Sequence, residues 1–452
     1  MTSTAQQSSA LDSFGSGLGA TIIRKGDADY NTARRVWNGM IDRSPAIIVR
    51  PTSTAEVVAA VKLARDNGLV LAVRGGGHNA AGLGVCDDGV VIDLSSMRNV
   101  RVDAANRVAY VQGGAMWRDL DASTHPHGLA STGGLISSTG VGGLTLGGGL
   151  GWMMRQHGLA CDNVIAAEIV TADGQVRRAS ATENPDLFWA IRGGGGNFGV
   201  VTTFEFKLHP MKTLYAGMLV FPGPRAPEVL RRYRDLAMAA PDELTLFTGL
   251  MTSPDGHPIN AIFAAYNGPT SKGEAAIKPF RDMGPVADMV SEMPYPALQS
   301  MLDDGFPHGL NVYWRSDFLN GLPDAALDML VDRFNAITSP LSALLIEQFG
   351  GAVARVPADE TAFAQRNALF NMAVIARWTD AATADTHTTW ARETSDAARQ
   401  FTTGGTYVNY LGAEGAERVR AAYGAKYDRL VALKKKYDPT NLFRMNQNIQ
   451  PA

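Results

Sequence analysis

Glycine is concentrated in three stretches of this 452-residue chain, and these stretches constrain the fold more than any other feature. The sequence holds 48 glycines, and the densest groups lie at positions 75–77, 133–151 and 193–199. Glycine weakens helix and strand interiors, yet without a Cβ atom its backbone can approach a neighbour or a ligand closely. We therefore expect loops whose main chain, rather than side chains, meets a partner group.

The first stretch, Arg74-Gly75-Gly76-Gly77-His78-Asn79, directly follows a predicted buried strand at 69–73. Successive exposed N–H groups in such a loop can form an anion-binding concavity suited to a pyrophosphate. A plain tight turn would use the same residue types, so both interpretations stay open for this stretch taken alone.

The other two stretches differ in their surroundings. The second interleaves Leu, Ile and Val with its glycines, whereas flexible linkers are polar, so a ligand-lining segment is favoured over a linker. The third, at 192–199, precedes a predicted strand instead of opening a helix. It therefore lacks the context of a dinucleotide-binding fingerprint, and nicotinamide binding is not expected.

Composition excludes several classes of protein. The chain is 45% hydrophobic, carries a formal net charge of −3 and has a pI of about 6.3, so it offers no basic face for nucleic acid or an anionic membrane. No apolar run approaches the length of a membrane span, and the polar N-terminus does not read as a secretory signal. Two cysteines, Cys86 and Cys161, cannot build a disulfide framework, so a cytoplasmic location is expected.

The strand and helix patterns suggest two lobes and a tail. Residues 1–30 are expected to form a loosely held lead-in, followed by alternating strands and helices. Ser53 and Glu56 have capping-box spacing before an amphipathic helix, and Asp173-Gly174 is the predicted turn of a hairpin over 163–176. Strands mixed with longer helices follow, including one at 322–337, and residues 416–438 are again helical. The predicted domains are 1–207, 208–400 and a C-terminal segment, 401–452, that returns to the first.

Taken in order, the motifs resemble a known family. RGGGH, GGLISSTGVGGLTLGGGLG, HGLACDN and RGGGGNFGVV resemble the FAD-binding domain of the vanillyl-alcohol oxidase / p-cresol methylhydroxylase (PCMH) superfamily. The tail, with YVNY and KKKYDPTNLFRMNQNIQP, resembles the berberine bridge enzyme-like branch. The resemblance covers about 45–210 and 400–450. It implies an α+β, two-domain flavoprotein: a PCMH-type FAD-binding domain and a substrate domain with an antiparallel sheet backed by helices.

The resemblance also implies how FAD is held. His78 corresponds to the histidine that bonds covalently to the flavin 8α-methyl carbon, a link that raises the reduction potential and prevents loss of the cofactor. The family's second link, to a cysteine, falls at Ile136, so a single link is expected. Further cofactor contacts are implied for Arg74, Gly75, Gly76, Gly77, Asn79, Gly134, Ser137, Thr139, Gly140, Gly142, Gly143, Asp162, Asn163, Val201, Asn446 and Asn448.

Catalytic roles are implied in the same way. Tyr410 matches the family's catalytic base, and Arg315 is a candidate for the cation that a phenol needs in order to ionise near neutral pH. Tyr407 is expected on the opposite face of a strand. Thr139 lies where the family controls oxygen access, and its valine-like shape favours an oxidase. The family's substrate-facing Glu or Gln aligns with Ala373, which suggests a more apolar contact, with Asn371 as a weaker substitute.

The implied reaction is hydride transfer to the flavin from an alcohol, or from a hydroxyl of a sugar or secondary metabolite, followed by reoxidation with O2 to give H2O2. Three alternatives remain open: an amine oxidase of the hydroxynicotine-oxidase type, a dehydrogenase with another acceptor, and a non-catalytic flavin carrier. A small-molecule substrate and O2 are the expected partners, without nucleic acid, membrane or metal. A monomer or a homodimer is expected.

Overall fold

The computed structural model describes residues 4–15 and 17–452. The expected lead-in contains regular structure, because its strand pairs antiparallel with the next one; residues 1–3 and 16 of that segment lie outside the described residues. Three helices and four strands belong to this first part: α1 (Thr4–Ser13), β1 (Thr21–Arg24), α2 (Tyr30–Ala33), β2 (Ile47–Arg50), α3 (Thr54–Asp66), β3 (Leu71–Arg74) and β4 (Val90–Asp93). The strands form one sheet in the order β1-β2-β4-β3, and β4 runs parallel to both of its neighbours.

The helix α3 begins where the capping pattern predicts. The Ser53 side chain accepts a hydrogen bond from the Glu56 N–H, and the Glu56 carboxylate accepts one from the Thr52 N–H at 2.6 Å. Val57 and Val61 are fully buried in a core that includes residues of the first sheet and of the next one. The helix therefore fixes β3, whose end leads directly into the glycines at 75–77.

A second, antiparallel sheet completes the N-terminal lobe, with strand order β5-β6-β10-β8-β9. The elements of this part are β5 (Val100–Asp103), β6 (Val108–Gln112), α4 (Trp117–Thr124), β7 (Leu129–Ala130), α5 (Val141–Leu146), α6 (Met154–His157), β8 (Val164–Val170), β9 (Val176–Ser180), α7 (Pro185–Ile191), β10 (Val200–Lys207) and β11 (His209–Pro210). The predicted hairpin is confirmed: β8 and β9 pair, and Gly174 has φ +75 in the turn between them.

The second lobe is built on an eight-stranded antiparallel sheet in the order β15-β12-β14-β13-β18-β19-β17, with β16 also paired to β12. Its elements are β12 (Thr213–Pro222), α8 (Ala226–Ala239), β13 (Leu244–Thr252), β14 (Pro258–Tyr266), α9 (Gly273–Arg281), β15 (Ala287–Asp288), β16 (Ser291–Pro294), α10 (Tyr295–Ser300), β17 (Asn311–Leu319), α11 (Asp324–Asn335), β18 (Ala343–Gln348), α12 (Ala352–Arg355), β19 (Phe370–Trp378) and α13 (Ala384–Ala398). Side chains of α8, α11 and α13 bury one face of this sheet.

The opposite face of the large sheet turns toward the N-terminal lobe, since Phe247 and Phe263 pack in one core with Trp152 and Met153. This arrangement confirms the expected α+β class with an antiparallel sheet backed by helices. Within the described part of the chain, no helix combines the length and apolar character that crossing a bilayer requires.

The tail packs on the N-terminal lobe through α14 (Ala416–Tyr423) and α15 (Tyr427–Tyr437). Leu430 and Tyr423 share a core with Phe204 of the second sheet. The buried Lys434 ammonium pairs with Asp438 at 2.7 Å and donates to the Asn197 carbonyl at 2.8 Å. These contacts hold the last residues of the chain beside the third glycine-rich stretch.

Candidate functional site

A cavity of about 610 Å³ lies between the two lobes, and we call it the interlobe cavity. Its volume is within the range typical of small-molecule and cofactor sites. The N-terminal lobe contributes all three glycine-rich stretches to the lining, the second lobe contributes the cavity-facing side of β17, β18 and β19, and the tail contributes residues around Tyr410 and Asn446. The site is thus assembled from segments far apart in sequence.

The glycine loops approach each other so closely that no side chain fits between them. A Cβ on Gly76 would lie 2.3 Å from the Gly140 nitrogen, and a Cβ on Gly140 would lie 2.3 Å from the Gly76 nitrogen. Both glycines line the cavity, so bare backbone forms that part of the wall. Nearby, the buried Asn446 Oδ1 has no hydrogen-bond partner in the described structure. A backbone cradle with an unpartnered amide oxygen fits a large polar cofactor such as FAD.

His78 stands at the end of the first glycine loop and lines the cavity. Its ring stacks on Trp37 with centroids 5.2 Å apart, and its Nε2 lies 3.1 Å from the Ser138 Oγ. Burial, with a smaller contribution from nearby His308, lowers the pKa of His78 to about 3. The imidazole is therefore neutral at physiological pH, which leaves one ring nitrogen with a free lone pair.

A hydrogen bond joins Tyr410 of the tail to Glu347 of β18 in the cavity wall. The Tyr410 hydroxyl donates a hydrogen bond of 2.8 Å to Glu347 Oε1, and Asn371 Nδ2 donates one of 2.6 Å to Oε2. Burial raises the pKa of the Glu347 carboxyl to about 7, although both hydrogen bonds act to lower it. Burial and the adjacent carboxylate raise the pKa of Tyr410 well above its ordinary value.

Sheet geometry explains why Glu347 reaches the cavity. Along β18, Leu344 and Ile346 pack against the helices, whereas Leu345 and Glu347 line the cavity, as expected for side chains that alternate across a strand. Glu347 was not predicted from the sequence: the family's substrate-facing Glu or Gln was aligned with Ala373, which pairs with Leu345 in the sheet. The signal available was a single Glu inside an otherwise apolar strand, ALLIEQ. The expected apolar contact at this position is therefore corrected: the cavity wall carries the Glu347 carboxylate.

Two further expectations are corrected around Tyr410. Arg315 does not contact the phenol; it pairs with Glu414 at 3.0 Å, because strand alternation points Trp314, and not Arg315, into the cavity. Tyr407 is not on an opposite face either, since Val408–Tyr410 is a 3-10 turn. The rings of Tyr407 and Tyr410 are 4.9 Å apart, and both line the cavity.

The Tyr407 hydroxyl is held by N–H donors and not by a carboxylate. It accepts hydrogen bonds from the Gly149 N–H at 2.9 Å and from Asn409 Nδ2 at 2.8 Å. Burial raises the pKa of Tyr407 as well, although these donors oppose the shift. Tyr407 thus ties the second glycine stretch to the tail, whereas Tyr410 faces a carboxylate that can accept its proton.

The site residues predicted from the sequence fall into two groups. Those that line the cavity are His78, Arg74, Gly75, Gly76, Gly77, Asn79, Thr139, Gly140, Gly142, Gly143, Val201, Asn446 and Tyr410. Those placed outside the lining are Gly134, Ser137, Asp162, Asn163, Asn448 and Arg315.

Other contacts explain the second group. The Asp162 carboxylate forms two hydrogen bonds with Arg366, at 2.6 and 2.7 Å, and both side chains are buried. Asn163 Nδ2 donates to main-chain carbonyls, and the Ser137 hydroxyl donates to the Asp303 carboxylate at 2.5 Å. Gly134 is packed beside Trp117 and Leu144. These groups support the walls of the cavity. Among the described residues, no cluster of three or more His, Cys, Asp and Glu side chains could hold a metal ion.

Comparisons with known proteins agree with this geometry. A family model described as "FAD binding domain" matches residues 45–180, and one described as "Berberine and berberine like" matches residues 406–450. An FAD-linked oxidoreductase of Dictyostelium discoideum is 34% identical, over 98% of this chain and 97% of its own length.

Two solved structures share the whole fold. The 6-hydroxy-D-nicotine oxidase of Arthrobacter nicotinovorans has a TM-score of 0.89 and 29% identity, covering 96% of this chain and 98% of its own. The xylooligosaccharide oxidase of Myceliophthora thermophila C1, solved with xylobiose, has a TM-score of 0.88 and 25% identity, covering 98% and 99%. The expected two-domain flavoprotein architecture is thereby confirmed. The chain is an enzyme with FAD as its cofactor, and it belongs to the berberine bridge enzyme-like family of FAD-linked oxidoreductases.

Proposed function

We propose that this enzyme oxidises a hydroxyl group of a small molecule, with Tyr410 and Glu347 together accepting the hydroxyl proton. The observation that carries the proposal is the 2.8 Å hydrogen bond from the Tyr410 hydroxyl to Glu347 in the wall of the interlobe cavity. FAD bound beside the glycine loops would supply the hydride acceptor, and its reoxidation by O2 with uptake of one proton would yield H2O2.

The proton path follows from the two pKa shifts. An isolated Tyr410 phenolate is unfavourable, because burial and the Glu347 charge raise the pKa of this phenol. Tyr410 therefore takes the substrate proton on its oxygen while its own proton passes to Glu347 Oε1. A carboxylate with a pKa of about 7 is suited to this role, since a general base works best when its pKa is near the working pH. Activity is expected to rise with pH as Glu347 ionises.

Anaerobic reduction of the bound flavin tests this relay. Tyr410→Phe removes the hydroxyl that connects substrate and carboxylate, so the reduction rate with a hydroxyl substrate is expected to fall about 10²–10⁴-fold. Tyr313→Phe is the matched control, because its hydroxyl accepts a hydrogen bond from exposed Arg392 and does not line the cavity. An unchanged rate in Tyr410→Phe would remove this tyrosine from the mechanism.

We also propose that FAD is covalently attached through His78 alone. In support, the neutral His78 ring lines the cavity with Nε2 beside Ser138, and the position of the family's second link is Ile136, which cannot bond to flavin. Acid-precipitated protein is expected to stay yellow, and the peptide containing His78 to carry the mass of the flavin. A His78→Ala protein should release its flavin into the supernatant. A colourless wild-type pellet would refute the attachment.

Oxygen is the proposed electron acceptor, because Thr139 lines the cavity and has the compact shape that favours oxygen access in this family. Peroxide release during turnover in air, measured against turnover with an artificial acceptor, tests the oxidase against the dehydrogenase alternative. A rate that requires the artificial acceptor would favour a dehydrogenase.

Amine oxidation is the second candidate, favoured by the similarity to 6-hydroxy-D-nicotine oxidase over the whole chain. A paired panel of alcohols and the corresponding amines separates the two reactions. The hydroxyl reaction is supported if only alcohols reduce the flavin, and it is replaced if only amines do so.

We further propose a cytoplasmic location, supported by two buried cysteines that do not pair with each other. Cell fractionation tests the location. The expected state, monomer or homodimer, is tested by light scattering of the purified holoenzyme.

A further inference from the structure

A single arginine stands out on the second-lobe side of the interlobe cavity. Arg377 lies near the end of β19, and among the described second-lobe residues that line the cavity only Arg377 and Glu347 are charged. Most of the others are large and apolar, such as Met218, Phe263 and Ile375. The substrate side of the cavity is therefore apolar with one charged group of each sign.

The charge of Arg377 has no carboxylate opposite it in the described structure. Its Nε donates to the Leu341 carbonyl at 2.7 Å, an Nη1 hydrogen bond reaches the Gly305 carbonyl, and the guanidinium carbon lies 4.5 Å from the centre of the Phe306 ring. Burial alone lowers the pKa of Arg377 to about 10, so the group remains cationic at neutral pH. Carbonyl and ring contacts stabilise a cation, but they leave its net charge uncompensated.

The two charged groups lie at opposite ends of the same pair of strands. Glu347 on β18 is paired with Asn371 on β19, and Arg377 is six residues farther along β19. At about 3.3 Å per residue this offset is about 20 Å along the backbone. The Trp314 ring lies between the two charged groups. Its centroid is 4.7 Å from that of Tyr410 and 6.4 Å from that of Phe306, and the Arg377 guanidinium packs over the Phe306 ring.

We propose that the natural substrate is an elongated, largely apolar hydroxy compound with an anionic group, most simply a carboxylate, and that Arg377 binds this group. The proposal rests on the proposed function, because it sets the reacting hydroxyl at Tyr410 and the anion at the other end of the apolar wall. Arg377 is then a specificity-determining residue. The glycine loops that cradle FAD belong to the other lobe, so Arg377 is not required for the phosphates of the cofactor.

Binding of inert probes to the holoenzyme tests the anion site without requiring turnover. Octanoate and octanamide have nearly the same shape and differ in charge, and each can be titrated while the flavin absorption spectrum is followed. A charge-assisted contact predicts that the wild-type protein binds octanoate roughly tenfold to a hundredfold more tightly than octanamide. Arg377→Met should remove this preference and leave the affinity for octanamide unchanged, whereas Arg377→Lys should retain part of it.

Arg392→Met is the matched control, since Arg392 is an exposed arginine of the same lobe that does not line the cavity, and its preference should equal that of the wild type. The proposal is overturned if the wild type does not bind octanoate or binds both probes equally. It is also overturned if Arg377→Met weakens both probes alike, which would mean that Arg377 only ties the Gly305 and Leu341 segments together. A retained octanoate preference with no flavin reduction by any hydroxy compound would refute the proposed function and leave the anion site standing.

Discussion

Glu347→Gln is expected to make the protein more stable above neutral pH while it removes the proposed proton acceptor. The pKa of Glu347 is about 7 in the folded protein against 4.5 for an unperturbed glutamate, and burial is the cause. Each pKa unit corresponds to about 1.4 kcal/mol, so ionised Glu347 lowers the free energy of unfolding by about 3 kcal/mol.

The direction of the pH dependence follows from proton binding. Because the folded state holds this proton more tightly, the contribution of Glu347 to stability is fully present below pH 4.5. It declines as the pH rises and is lost above about 7. A glutamine remains neutral throughout. It can keep the hydrogen bonds to Tyr410 and Asn371. The Asn371 Oδ1 has no partner in the described structure, so after the Asn371 amide flips this oxygen can accept from the glutamine amide.

Urea unfolding followed by tryptophan fluorescence between pH 5 and 9 measures the effect. The stability gain of Glu347→Gln should grow from about 1 kcal/mol at pH 5 to about 3 kcal/mol at pH 8 and above. Glu292→Gln, which changes an exposed glutamate of the same lobe, should show no such growth. A gain that does not change with pH would refute the assignment of a raised pKa to Glu347.

Three further predictions concern the walls of the cavity. Gly140→Ala places a Cβ 2.3 Å from the Gly76 nitrogen, so we expect a loss of about 1–3 kcal/mol in stability and less bound flavin per protein, measured by urea unfolding and absorbance. Arg366→Met leaves the buried Asp162 charge unpaired and should cost about 3–5 kcal/mol in urea unfolding, part of which Asp162→Asn should restore in the double variant. Thr139→Leu adds bulk to the lining and should slow reoxidation by O2 but not anaerobic reduction, as stopped-flow absorbance would show; equal slowing of both steps would contradict a role in oxygen access.

Local patterns determined much of this protein from the sequence alone. The Ser53–Glu56 spacing predicted the start of α3, and the Asp173-Gly174 turn predicted the β8–β9 hairpin. These features depend on neighbours in sequence, so propensity and turn chemistry are sufficient to find them. The glycine stretches likewise indicated loops whose bare backbone meets a ligand, and their resemblance, in order, to a known family indicated FAD.

Only the tertiary structure decided which side chains meet in the cavity. Glu347, Asn371 and Tyr410 come from two strands and the tail, and their contact depends on strand register and on a 3-10 turn that replaces the expected strand at Tyr407. The same alternation turned Arg315 away toward Glu414. Sheet pairing and turn geometry fix these side-chain directions across hundreds of residues, and a slip of one residue would reverse them, so no local pattern in the chain could have specified the site.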